Sequence, residues 1–174
     1  MNKVSSFISG MNDLIGRTLS WLTLLMAITM LLVILGRAFN LGSLAIQESV
    51  TYMHAMVFML CMAYTLKEQG HVRVDVNYRR MNFLQKAWVD VIGAILFILP
   101  FSIFLIAISW QFVVESWRIR EGSPNPGGIQ AVFLLKTLIP LGGFLLGLQG
   151  LVELIRNVQT LLAPQDTLDQ NGGV

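Results

Sequence analysis

The chain has 174 residues, of which 55% are hydrophobic and 13% charged, with a mean hydropathy of +0.66. Soluble domains carry about 25% charged residues, so this composition excludes an ordinary soluble domain and points to the membrane class. A formal net charge of +2 is too small to support nucleic-acid binding, and the single cysteine, Cys61, excludes an internal disulfide.

Taken in chain order, the first pattern is helical. Val4, Phe7, Ile8, Met11, Leu14 and Ile15 recur on one face, with Ser5, Ser6, Ser9, Asn12 and Asp13 on the other. This predicts an amphipathic helix along a membrane surface. An uncharged run follows over 18–36. Crossing the hydrocarbon takes about 20 apolar residues in a helix, so this run suffices. It is longer than a signal-peptide core, and no small-x-small cleavage pattern follows it, so it reads as a retained span. Arg37 and Glu48 bracket the next short hairpin and are expected to pair across it or to dock a partner.

The second span is expected over 49–66, between Glu48 and Lys67. Beyond it, His71, Arg73 and Asp75 alternate with Val72, Val74 and Val76. An extended backbone would put the three polar residues on one face, able to anchor a loop through charge-assisted hydrogen bonds. Met81, Leu84, Ala87, Trp88 and Val91, set against Asn82, Gln85, Lys86 and Asp90, predict a second amphipathic helix. The third span, 91–114, contains Pro100, which predicts a local kink.

The fourth span, 129–152, carries Lys136 near its start and Pro140 four residues later, which frees the Lys136 carbonyl from its helical hydrogen bond. The favoured reading of Lys136 is a snorkelling side chain. The other is a salt bridge to a partner, Glu115 or Glu121. Gly143 and Gly147 are spaced for close helix approach, and Gln149 is placed for an interhelical hydrogen bond. Residues 161–174 read as a polar tail.

The expected fold is therefore an all-α integral membrane domain over residues 1–160. It has four transmembrane helices, plus amphipathic interfacial helices at the N-terminus and in the second loop. The basic residues orient it. Lys3, Arg17, Lys67, Arg73, Arg79, Arg80, Lys86 and Arg156 fall on one side, and Arg37, Arg118, Arg120 and Lys136 on the other. Eight against four puts both termini in the cytoplasm.

An ionisable group at mid-bilayer is the usual sign of a transport or proton pathway. Here all ten carboxylates lie outside the spans or at their ends. His54 has no second histidine placed to share a haem, because His71 lies in a loop. No catalytic, cofactor-binding or metal-ligating set is expected, and the chain does not read as an enzyme.

Several of these residues also resemble a known family. The run Gly36-Arg37-Ala38-Phe39-Asn40, then Gln47-Glu48, and the stretch from Tyr64-Thr65-Leu66-Lys67 through His71-Val72-Arg73-Val74-Asp75 look like the small membrane subunit of tripartite ATP-independent periplasmic (TRAP) transporters. So do Lys136, Ile139-Pro140-Leu141-Gly142 and Leu148-Gln149. The likeness covers residues 15 to 155. Family members often carry two adjacent acids in the first hairpin, and here the first of that pair is Gln47.

The resemblance implies a non-catalytic helper in the bacterial inner membrane. Its partners would be a large polytopic subunit, holding the substrate and sodium sites, and a periplasmic protein that delivers an organic acid such as a C4-dicarboxylate or a sialic acid. Arg37, Glu48, His71, Arg73, Asp75, Lys136, Gly143, Gly147 and Gln149 become candidates for partner contact or internal structure. No cofactor is expected in this chain, sodium belonging to the large subunit. The alternative is a self-contained small transporter that oligomerises. Four-helix exporters of that kind rely on an acid inside the first span, and 18–36 contains none.

Overall fold

The structure, a computed structural model, describes residues 3–68, 78 and 81–162. The described residues form an all-helical bundle, and four of its helical stretches are long and apolar enough to cross a membrane. We number the helices α1 (Lys3–Ala38), α2 (Leu44–Leu60), α3 (Met62–Lys67), α4 (Phe83–Gly93), α5 (Leu99–Arg118) and α6 (Val132–Leu162). A π-helical turn, Ala94–Ile98, joins α4 to α5.

At about 1.5 Å per residue, the 36 residues of α1 extend roughly 54 Å, well beyond a hydrocarbon layer of about 30 Å. The amphipathic segment and the first span are thus one continuous helix. Its faces are also reversed from those of a soluble helix. Phe7 and Leu14 are 73% and 69% exposed, while Asn12 is buried. In a membrane chain the apolar side can face lipid, provided another helix supplies a partner for the buried amide.

Helix α1 stops at a Schellman cap. Asn40 adopts a positive φ of 55°, the Leu41 amide donates to the Gly36 carbonyl (2.8 Å) and the Asn40 amide to that of Arg37 (3.2 Å). These bonds satisfy carbonyls that a helix end leaves free. The chain then turns directly into α2, which packs back along α1.

The second amphipathic segment is likewise the start of a span. Asn82 and Gln85 form a capping box, with Asn82 Oδ1 accepting from the Gln85 amide and Gln85 Oε1 from the Asn82 amide. From there helix runs through Phe83–Arg118. Pro100 has no amide hydrogen, and the distortion expected near it takes the form of the π turn, in which the Leu99 amide reaches back to the Ala94 carbonyl.

Helix α6 is the axis of the bundle and packs against every other element. Small residues permit this. A Cβ added at Gly142 would lie 2.6 Å from the Met59 carbonyl oxygen of α2, and one at Gly143 would lie 3.0 Å from Leu105 Cβ of α5. Gly147 faces Ser102 of α5, and Gly150 faces Ile98 of the π turn. The Gly143 and Gly147 stripe is therefore occupied within the chain, on the face of α6 that meets α5.

Candidate functional site

Fixed polar groups gather at the two ends of the bundle. One is the hairpin end, where α1 meets α2 and α5 meets α6. The other is the terminal end, where α1 begins and α6 finishes.

At the hairpin end, Glu48 in the first turns of α2 holds the loop 121–131. Its Oε1 accepts from the Ser123 hydroxyl at 2.5 Å and the Asn125 side-chain amide at 3.4 Å. Its Oε2 accepts from the Ile129 backbone amide at 2.7 Å. The loop is shaped to present these donors. Ser123 N donates to the Ile129 carbonyl (3.1 Å), Gly128 N donates to that of Asn125 (3.1 Å), and Gly127 takes a φ of +80° after Pro126. Proline followed by a positive-φ glycine is the pairing that a type II turn requires. Gly128 is needed for a different reason, because an added Cβ would sit 2.7 Å from Glu48 Oε1.

Beside this anchor, Lys136 forms a salt bridge with Glu121 and lies 3.8 Å from the centre of the Phe112 ring. Its side chain is only 16% exposed, so it does not snorkel outward as the sequence favoured. An acid in the loop just before α6 satisfies the ammonium internally. The hydrogen bond from Lys136 holds the Glu121 carboxyl below its ordinary value of 4.5. Glu121 is placed by the cap of α5, where Arg120 adopts a φ of 50° and the Glu121 amide reaches the Ser116 carbonyl (3.0 Å). Trp117 Nε1 donates to Thr137 Oγ1 at 2.8 Å, and its ring meets Phe133 edge-on.

At the terminal end, Asn12 of α1 donates from Nδ2 to Gln149 Oε1 of α6 at 2.9 Å, both side chains being essentially inaccessible. Gln149 Nε2 continues to Glu153 Oε1 at 3.2 Å. Asp13 forms a 2.5 Å salt bridge with Lys67 of α3, and Gly16 admits the Tyr64 ring against α1. Between the two ends, the buried serines Ser102 and Ser109 donate to carbonyls of their own helix, those of Ile98 and Leu105. Among the described residues, the side-chain bonds that join one helix or loop to another lie at these ends.

The sequence profile of the DctQ component of tripartite ATP-independent periplasmic transporters matches residues 19–160. The chain belongs to this family. No curated protein and no solved structure matches it.

In this DctQ-family chain, Glu48 and Lys136 lie together at the hairpin end, while Gln149 lies at the terminal end. Arg37 and Glu48 do not pair with each other. Arg37 donates to Gln47 Oε1 at 2.5 Å, and Glu48 turns to the loop instead. Three donors presented by one tight loop outweigh a single exposed ion pair, worth about 0–1 kcal/mol. His71, Arg73 and Asp75 lie outside the described residues. The sequence reading missed Asn12, Ser123, Asn125 and the Ile129 amide. The Pro126-Gly127 pair could have signalled a fixed turn, but nothing local marks Asn12 as the partner of a residue 137 positions away.

Proposed function

We propose that this chain is the static scaffold of its transporter, bracing a large membrane subunit that moves substrate with sodium. The DctQ family makes it the small membrane subunit of a TRAP transporter. The observation that carries the bracing role is the distribution of polar groups. Glu48, Glu121, Lys136, Asn12 and Gln149 are all engaged in joining one segment of this chain to another at the ends of the bundle. A substrate site for an organic anion would need donors converging near mid-membrane. All ten carboxylates and all twelve basic residues of the sequence fall outside the spans, at their ends or within their first turns.

The proposed cargo is an organic acid of the C4-dicarboxylate or sialic acid class, delivered by a periplasmic binding protein. The proposed setting is the inner membrane with both termini cytoplasmic, an orientation supported by the eight basic residues on that side against four on the other.

The test is purification from the native membrane under mild detergent, followed by identification of what accompanies the chain. A large polytopic subunit in fixed ratio is expected. Isolation of the chain alone, with uptake activity in vesicles, would overturn the proposal.

A further inference from the structure

The last turn of α1 and the first turns of α2 enclose a half-open cleft of about 310 Å³. Its walls include Leu32 and Val33 on α1, and Leu44 and Ile46 on α2; Arg37 and Gln47 also line it. The apolar run of α1 ends at Arg37 and that of α2 begins after Glu48. Arg37 therefore sits at the boundary between hydrocarbon and water, the depth at which phospholipid phosphates lie, with the leucine and valine about one turn deeper.

Arg37 is a cation without an anionic partner among the described residues. Its guanidinium donates to the neutral Gln47 Oε1. The neighbouring acid, Glu48, is turned away and engaged by Ser123, Asn125 and Ile129. A guanidinium carries five N–H donors in a fork that matches phosphate, so most of this capacity is unspent. The identity of residue 47 decides the charge of the site. An acid there would neutralise Arg37, whereas glutamine orients the guanidinium and leaves its charge in place.

We propose that this cleft binds one anionic phospholipid, with its phosphate on Arg37 and an acyl chain along Leu32 and Val33. Charge and shape together select that occupant. A carboxylate from a soluble protein would meet the arginine but bring no apolar chain to fill the walls, and one from a membrane helix is the outcome that co-purification with the large subunit reads. A zwitterionic lipid would fill the walls but add no net charge to meet that of Arg37.

Native mass spectrometry of the full chain, released from micelles holding equal amounts of phosphatidylglycerol and phosphatidylcholine, tests this. The wild type should retain a single phosphatidylglycerol in about fivefold preference, the size of effect one basic residue has at a membrane surface. Arg37→Gln and Gln47→Glu should each bring the preference close to one. Arg37→Lys should keep most of it, and Arg118→Gln, altering a cation already paired with Glu115, should leave it intact. Equal retention of the two lipids by the wild type would overturn the proposal, as would an unchanged preference in Gln47→Glu. So would loss of the lipid from the chain co-purified with a large subunit, since the cleft would then be protein interface. Co-purification itself reads the scaffold assignment, so the two ideas can fail separately.

Discussion

Helices α1 and α6 are both long and apolar, yet they occupy opposite places in the bundle. None of the most apolar 18-residue stretch of α1 is buried, against 39% of the corresponding stretch of α6. Hydropathy does not account for this, the exposed stretch being the more apolar of the two, whereas side-chain size does. Helix α6 carries Gly142, Gly143, Gly147 and Gly150 on the faces that meet α2, α5 and the π turn. Helix α1 presents Leu24, Leu25, Ile28, Leu31 and Leu32, all about half exposed. Lipid tails are as apolar as leucine, so association within a membrane is decided by close packing and satisfied polar groups rather than by hydrophobicity. The glycines make α6 the core, while α1 lies at the edge of the bundle against α2.

The largest effect should come from the core helix. Gly142→Val places atoms against the Met59 carbonyl, which cannot rotate away. We expect a loss of about 3 kcal/mol, the upper part of the overpacking range, read as a collapse of thermal stability in detergent. Gln149→Leu should follow, at about 2 kcal/mol, by leaving the Asn12 amide buried without its acceptor. Adding Asn12→Leu should restore most of that loss, because removing both partners removes the unsatisfied group. If the double variant is as unstable as the single one, the amide pair is not what holds α1 to α6.

A smaller change of opposite sign is expected at the cap of α5. Arg120 occupies a left-handed conformation that disfavours a side chain. Arg120→Gly should therefore raise stability by about 1 kcal/mol. Near zero should lie Ile28→Ala, at a half-exposed position of α1, expected within about 0.5 kcal/mol for the isolated chain. A larger loss would show that the exposed face of α1 carries internal packing after all.

The hairpin end adds a pH dependence that the terminal amide pair lacks. The Glu121 carboxyl titrates below its ordinary 4.5, so its bridge to Lys136 stabilises the folded chain above that value and is lost as pH falls through the lower folded one. Amide exchange in the loop 121–131 should rise in that acid window. Glu121→Gln should shrink the step and leave the part that belongs to Glu48, whose carboxyl the Ser123 hydroxyl and the Ile129 amide also hold below 4.5.

The contrast between α1 and α6 also marks what could be read in advance. The four spans were legible because the bilayer imposes a length on any uncharged run, and Gln149 and Lys136 stood out because polar groups are rare in such runs. Their partners were less legible. Asn12 belongs to the polar side of an amphipathic repeat, and only the return of α6 past α1 turns that side inward. Glu48 and Arg37 looked like a pair because they face each other across a short hairpin. The donors that capture Glu48 come from a loop more than seventy residues later. The caps at Asn40 and Arg120 were hidden because neither uses glycine.

The scaffold assignment is tested most directly by uptake into vesicles containing the large subunit, the binding protein and this chain. Wild-type chain should be compared with Glu48→Ala, which frees the loop 121–131 from its anchor. We expect a reduced rate with an unchanged order of preference among organic acids. A changed order of preference would mean that this chain helps to choose the cargo, and would contradict its assignment as a scaffold.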